Sequence, residues 1–218
     1  MIKIKTIAVS DMDANCYIVT DIATGDTAVI DPGEFDARLD KVLSQIGFEH
    51  IKLILLTHGH FDHIGGTNEI VRKTGGLAKV AVSEREKSFL ENSSLNLSMQ
   101  FYGVPIDSIK ADILFNDGEE IKLGESTIKV IATPGHTVGS VCFVCDRNIF
   151  SGDTLFYGSY GRIDFPTGSM KDMIASLQRL AELEGDYKVY PGHNTTTTLD
   201  FERKYNPIIG RNYDEDLY

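Results

Sequence analysis

The sequence predicts an α/β protein: two similar layers of strands with helices outside. Three observations predict it. Strand-like runs alternate with amphipathic helical patterns along the 218 residues, each half gives strands followed by a helix, and histidines in both halves fall at strand ends. The layers are expected to meet along a shared edge, where those strand ends converge.

The elements follow in order. Met1-Ile2-Lys3-Ile4-Lys5-Thr6-Ile7-Ala8-Val9 alternates polar and apolar residues as a half-buried strand does, and further strands are expected near 15–20 and 26–31. Leu39, Val42, Leu43 and Ile46 recur at helical spacing within 34–46. The run Ile51-Lys52-Leu53-Ile54-Leu55-Leu56 then reads as a buried parallel strand that ends abruptly in polar residues. Thr67 to Lys73 forms a short helix closed by Gly75-Gly76. A strand over 78–82 and a helix over 83–91 come next. The stretch 92–110 has no clear period; long aperiodic connections are often functional or mobile, and this one reads either as a binding-site flap or as an ordinary surface excursion. Strands over 127–132, 139–145, 148–151 and 187–190 complete the second half. Between the last two, Met173, Ile174, Leu177 and Leu180 mark a helix over 169–183, with Ser169 or Thr167 as its cap. Asp214-Glu215-Asp216 reads as a solvated terminus.

A chain of this length with 42% hydrophobic residues holds a large core, and no Gly/Ser/Pro-rich linker divides it, so residues 1–218 are expected to form one domain. The net charge of −11 argues against a nucleic-acid partner, because phosphate binding needs a concentrated basic surface. The amino terminus lacks the apolar core and cleavage site of a signal peptide, and no stretch reaches transmembrane length. Three cysteines, an odd number, do not make a disulfide framework; the expected compartment is a reducing cytoplasm. Cys142 and Cys145 form a C-x-x-C, but on a strand positions i and i+3 face opposite sides, which suits buried filling and not chelation. Cys16 also reads as strand.

The chemistry concentrates after the 51–56 strand. Thr57-His58-Gly59-His60-Phe61-Asp62-His63 places three of the six histidines and an aspartate on one loop. Neutral imidazole is the commonest ligand for zinc and related metals, and a carboxylate adds a harder oxygen donor. His136 and His193 each follow an apolar segment and a Pro-Gly step, whose tight turn holds the imidazole at a strand end. Phe150-Ser151-Gly152-Asp153-Thr154 offers a carboxylate in the same setting. Any one of these reads equally well as a turn residue; their recurrence points to a metal site. His50 has no ligand neighbours and is expected on the surface or in a loop.

With these residues the chain resembles the metallo-β-lactamase fold hydrolases, and among them the single-domain proteins similar to glyoxalase II. The resemblance spans Ile30-Asp31-Pro32-Gly33, the His58/His60/Asp62/His63 loop, Thr133-Pro134-Gly135-His136-Thr137, Ser151-Gly152-Asp153-Thr154-Leu155-Phe156, Gly161-Arg162-Ile163-Asp164 and Tyr190-Pro191-Gly192-His193. The Gly-Arg-x-Asp segment narrows it towards the thioesterase and persulfide-oxidising branch. It implies a four-layer αβ/βα sandwich of two mixed sheets flanked by helices, and a site for two divalent metals, zinc first, with iron or manganese fitting the same donors. By resemblance His58, His60 and His136 hold one metal, Asp62, His63 and His193 the other, and Asp153 bridges them. Asp62 and Asp153 are then the carboxylates of the catalytic centre. A shared hydroxide would attack an ester, thioester or amide carbonyl. Asp31 is expected to orient a ligand histidine, since ligating imidazoles usually donate their other N–H to a carboxylate or carbonyl. Arg162 and Asp164 either bind a substrate anion or pair with each other, and Tyr157 and Tyr160 either line the pocket or pack.

The substrate expected from the resemblance is a small molecule, a glutathione or other thiol conjugate. Two-domain glyoxalase II enzymes grip glutathione with an added helical domain, whereas residues 194–218 suffice here for about a helix and a tail. Thioester hydrolysis as a class therefore stands better than glutathione as the substrate. The alternatives are a mononuclear iron persulfide dioxygenase, with His58, His136 and Asp153 as its facial set, and a lactonase.

Overall fold

The computed structural model describes residues 1–210, so the expectation for Asp214-Glu215-Asp216 lies outside the described residues. The first half runs β1 (Ile2–Val9), β2 (Ala14–Asp21), β3 (Thr27–Ile30), α1 (Ala37–Ile46), β4 (Ile51–Leu55), α2 (Phe61–Ile64), α3 (Thr67–Lys73), β5 (Lys79–Ser83), α4 (Ser98–Tyr102) and β6 (Ile113–Phe115). The second runs β7 (Glu120–Leu123), β8 (Ser126–Ala132), β9 (Val141–Cys145), β10 (Asn148–Gly152), β11 (Leu155–Phe156), β12 (Ser159–Tyr160), α5 (Met170–Ala181), β13 (Lys188–Pro191), β14 (Thr197–Thr198) and α6 (Leu199–Tyr205).

The strands form two six-stranded sheets, ordered β1-β2-β3-β4-β5-β6 and β14-β13-β10-β9-β8-β7, and a small β11-β12 ribbon. Both large sheets are mixed. β1, β2 and β3 pair antiparallel while β3, β4, β5 and β6 pair parallel, and in the second sheet β10 and β13 pair parallel within antiparallel neighbours. This is the four-layer αβ/βα sandwich. The expectation of layers joined along an edge is corrected, because the sheets meet face to face. Their apposed surfaces share one cluster in which Tyr17, Leu55 and Phe115 from the first sheet pack on Val130, Phe143 and Phe150 from the second. Apolar side chains on both faces of β2 and β3 require cover on both sides, which only a buried sheet supplies.

The outer faces take the helices. α1 buries Leu39 and Leu43 against the first sheet, each worth about 1.5–3 kcal/mol relative to exposure. It starts after Asp36, whose carboxylate accepts from the Arg38 and Leu39 N–H groups at 2.9 and 2.8 Å. α5 buries Met173, Leu177 and Leu180 against the second sheet, capped by Ser169. The helix expected over 83–91 is instead a 3₁₀ helix, Glu84–Leu90. Its inward residues Glu86 and Phe89 are three apart, which a threefold helix aligns on one face. Cys142 and Cys145 lie in different clusters on opposite faces of β9, both thiols free and buried. His50 sits half-exposed in a short 3₁₀ turn before β4. Among the described residues no helix is long and apolar enough to cross a membrane.

Topology gathers the candidate ligands at one end. Asp31 follows β3, the His58–His63 loop follows β4, and those strands run parallel. His136 follows β8, Asp153 follows β10 and His193 follows β13; β8 and β10 run the same way because each pairs antiparallel with β9, and β13 is parallel to β10. All five segments leave their strands at carboxyl ends on the same rim. Across the rim, Asn15 Nδ2 of β2 donates to the Pro191 carbonyl at 3.0 Å and Tyr17 Oη donates to the same oxygen at 2.5 Å, pinning the His193 turn to the first sheet.

Candidate metal centre

The seven candidate side chains converge into two lobes. His58, His60 and His136 form one set with ligand atoms within 4.8 Å of each other, and Asp62, His63 and His193 form another. Asp153 lies between them: its Oδ2 is 3.5 Å from His136 Nε2, and its Oδ1 is 3.5 Å from His63 Nε2. The lobes themselves are tight, with His60 Nδ1 at 2.9 Å from His136 Nε2 and His193 Nε2 at 3.3 Å from Asp62 Oδ2. Gly192 permits this approach, since a Cβ there would stand 2.2 Å from Asp153 Oδ1 and 2.7 Å from His63 Cε1.

The ring nitrogens facing away from the cluster are tied down. His136 Nδ1 donates to the Arg162 carbonyl at 2.7 Å, and His63 Nδ1 to Asp31 Oδ2 at 3.0 Å. Thr57 Oγ1 donates to Asp31 Oδ2 at 2.6 Å and so accepts from His58 Nδ1, 3.1 Å away. One buried carboxylate thus fixes two imidazoles, His63 directly and His58 through a hydroxyl. Asp31 also accepts from the Thr57 N–H at 2.8 Å and adopts φ 51°, a left-handed conformation that turns its carboxylate under the ligand loop. These bonds aim the Nε2 atoms of His58, His63 and His136 into the cluster.

Electrostatics favour a cation there. Burial, helped by the surrounding imidazoles, pushes His58 and His60 well below the ordinary histidine range, so both are neutral donors. Burial opposes charge on His63, yet Asp153, Asp62 and Asp31 together raise it to about 10. Burial likewise opposes ionisation of Asp62, but His63 and His193 outweigh it and hold its carboxyl below the usual range. His58 Nε2 and Asp153 Oδ1 are buried without a hydrogen-bond partner among the described residues, a costly arrangement unless a cation takes the lone pairs. The residues present therefore fit divalent metal.

No local signal marks Glu86, which ties two of the ligand segments together. Its side chain is fully buried, with Oε2 accepting from the Gly59 N–H at 2.8 Å and Oε1 from the Gly139 N–H at 2.8 Å. Gly59 lies between His58 and His60, and Gly139 closes the turn that carries His136. Burial raises the Glu86 carboxyl to about 7 despite hydrogen bonds from Thr137, Gly59 and Gly139. Within Glu84-Arg85-Glu86-Lys87 the residue looks like part of a solvated charge run, so only the tertiary fold distinguishes it.

A cavity of about 500 Å³ opens over the cluster. Tyr160 and Arg162 line it. Tyr157 does not; it is exposed and stacks on Phe201 at 4.8 Å between ring centroids. Arg162 pairs with Asp164 through two bonds, of 2.7 and 2.6 Å. Segment 92–110 supplies Leu97 and Phe101 to the cavity wall.

An αβ/βα sandwich with a His/Asp cluster at its strand-end rim is the architecture of the metallo-hydrolase superfamily. The chain belongs to the Metallo-beta-lactamase superfamily, whose sequence pattern matches residues 9–193. Among curated relatives, it is 34% identical to hydroxyacylglutathione hydrolase GloC of Haemophilus influenzae, over 95% of this chain and 98% of that protein. Among solved structures, it is similar to BLEG-1 B3 metallo-beta-lactamase, at 31% identity and a TM-score of 0.86 over 96% of this chain and 100% of that one. It is also similar to TTHA1623 in a di-iron-bound form, at 31% identity and a TM-score of 0.80 over 93% and 98% of the respective chains.

Proposed function

We propose that this protein is a binuclear metallohydrolase that cleaves a small thioester or ester. His58, His60 and His136 would hold one ion, Asp62, His63 and His193 the second, with Asp153 reaching both. The observation that carries the reading is the position of Asp153, 3.5 Å from a histidine of each lobe. Zinc suits the nitrogen and oxygen donors, and the di-iron form of TTHA1623 supports iron as the alternative.

Divalent metals held by these residues would supply a hydroxide near neutral pH and a Lewis acid for the carbonyl. The chain's own residues position the rest. Asp31 and Thr57 set the rotation of His58 and His63, the Arg162 carbonyl sets His136, and Glu86 fixes the distance between the His58–His60 loop and the His136 turn. Among the described residues, every aspartate, glutamate or histidine lining the cavity is a candidate ligand. That suits a thiolate leaving group, which departs without acid assistance. The similarity to GloC, a hydroxyacylglutathione hydrolase by name, supports the thioester class.

The test is metal analysis of protein purified without added metal, followed by assays on a thioester, a lactone, a β-lactam and a persulfide, the last with an oxygen electrode. Thioester turnover that a chelator abolishes is expected. Oxygen uptake with persulfide by iron-loaded protein, with no thioester cleaved, would overturn the proposal in favour of the dioxygenase.

A further inference from the structure

An aromatic wall lines the cavity over the candidate ligands. Phe101 stacks on Phe61 at 5.4 Å and 29°, and meets Phe165 edge-on at 6.0 Å. Phe165 in turn stands edge-on to His60 at 5.7 Å, so a continuous aromatic surface runs from the candidate metal ligands to the mouth. Phe101 comes from α4, a single helical turn bracketed by Leu97 at φ 67° and Gly103 at φ 71°. Those two left-handed residues swing the helix back over the rim, and Leu97 adds its own side chain to the wall. Nothing in the metal chemistry requires this apolar surface.

Charge points the same way. Among the described residues Arg162 is the one lysine or arginine lining the cavity. Its charge is matched by Asp164 through two bonds, and its guanidinium lies 3.8 Å from the centroid of Phe165. A carboxylate on the substrate would meet no unmatched cation along this wall, on a protein of net charge −11. A methylene chain or aryl ring would meet aromatic faces.

We infer that the cavity takes a neutral, apolar acyl group, an alkyl chain of several carbons or an aryl ring, and that Phe101 and Phe165 are its specificity-determining residues. This rests on the thioester hydrolase reading. In the reaction water adds to the acyl carbon, the C–S bond breaks, and the thiolate leaves with the electron pair and takes up a proton, giving a carboxylic acid and a thiol.

The experiment uses zinc-loaded protein and the acetyl, hexanoyl, phenylacetyl and succinyl thioesters of N-acetylcysteamine, a small neutral thiol. Each methylene buried on the wall should raise kcat/KM by roughly two- to fourfold, so hexanoyl and phenylacetyl exceed acetyl by ~10-fold or more, and succinyl falls below hexanoyl. In Phe101→Ala and Phe165→Ala the hexanoyl-to-acetyl ratio should fall about fivefold. Phe101 is 41% exposed, so its truncation leaves the core intact. Binding supplies a readout independent of turnover: phenylacetamide titrated into chelator-treated protein should shift the resonances of Phe101 and Phe165 neighbours, and the shifts should weaken in both variants. Acetyl turnover with a flat chain-length profile, or preference for succinyl, overturns this inference and leaves the hydrolase reading standing. If no thioester is cleaved, the hydrolase reading fails, and phenylacetamide shifts absent from the wall refute the apolar pocket separately.

Discussion

Replacing Glu86 should loosen the metal centre from a position that touches none of its ligands. The carboxylate accepts two buried backbone N–H groups, from Gly59 and Gly139, each at 2.8 Å. Hydrogen bonds to a charged group contribute about 1.5–3 kcal/mol, and a buried donor left unpaired costs about 1–3 kcal/mol. Glu86→Ala removes both acceptors at once, while relieving the burial of one ionisable group; a net loss of about 3 kcal/mol follows. For a chain of this size that corresponds to a fall in Tm of roughly 6–12 °C. Glu86→Gln keeps one oxygen acceptor but turns an amide N–H₂ towards the other N–H, so about half the loss is expected. A structural role elsewhere would move Tm alone. The clamp also sets the spacing of His58 and His60 against His136, so chelator should strip metal faster from Glu86→Ala than from wild type, with Glu86→Gln between. Calorimetry and metal release followed by a chromogenic chelator measure the two effects. A Glu86→Ala protein with unchanged Tm and unchanged metal release refutes the reasoning.

Asp31→Asn should lower metal affinity about 10- to 100-fold, because the amide keeps one oxygen acceptor in place of two and weakens the hold on His63 directly and on His58 through Thr57; competition with a chelator of known affinity measures it. In chelator-treated protein His63 carries a folded pKa near 10 against an ordinary value near 6.5. Its protonation therefore contributes stability that is complete below about pH 6.5 and is lost as pH rises through about 10, so Tm should fall from pH 7 to 10, less steeply in Asp31→Asn. A parallel slope in both proteins would contradict this. Cys142 and Cys145 are buried, with thiols pushed by burial up to about 12 and about 11, so an aromatic disulfide reagent should label neither until the protein is unfolded.

The sequence made the site more legible than the walls around it. Histidines, a carboxylate and Pro-Gly turns after apolar runs are local signals, and Asp31, Asp153, His136 and His193 could be picked out without knowing what they approach. Their assembly depends on strand direction, which the apolar run Ile51–Leu56 already suggested. Short edge elements were harder. β7 carries the alternation Glu120-Ile121-Lys122-Leu123, but four residues give little periodicity, and β11, β12 and β14 have two residues each. Glu86 and Phe101 lay beyond local reading altogether. A glutamate among charged neighbours and a phenylalanine in an aperiodic stretch acquire meaning only when the first is buried between two loops and the second is carried over a cavity.

If two metals sit either side of Asp153, each lobe's occupancy should follow its own ligands, which elemental analysis of metal content in wild type and His193→Ala reads out. About two ions per chain in wild type and about one in His193→Ala are expected, since that substitution removes a ligand from one lobe and leaves His58, His60 and His136 intact. One ion per chain in wild type, retained in full by His193→Ala, would contradict the account.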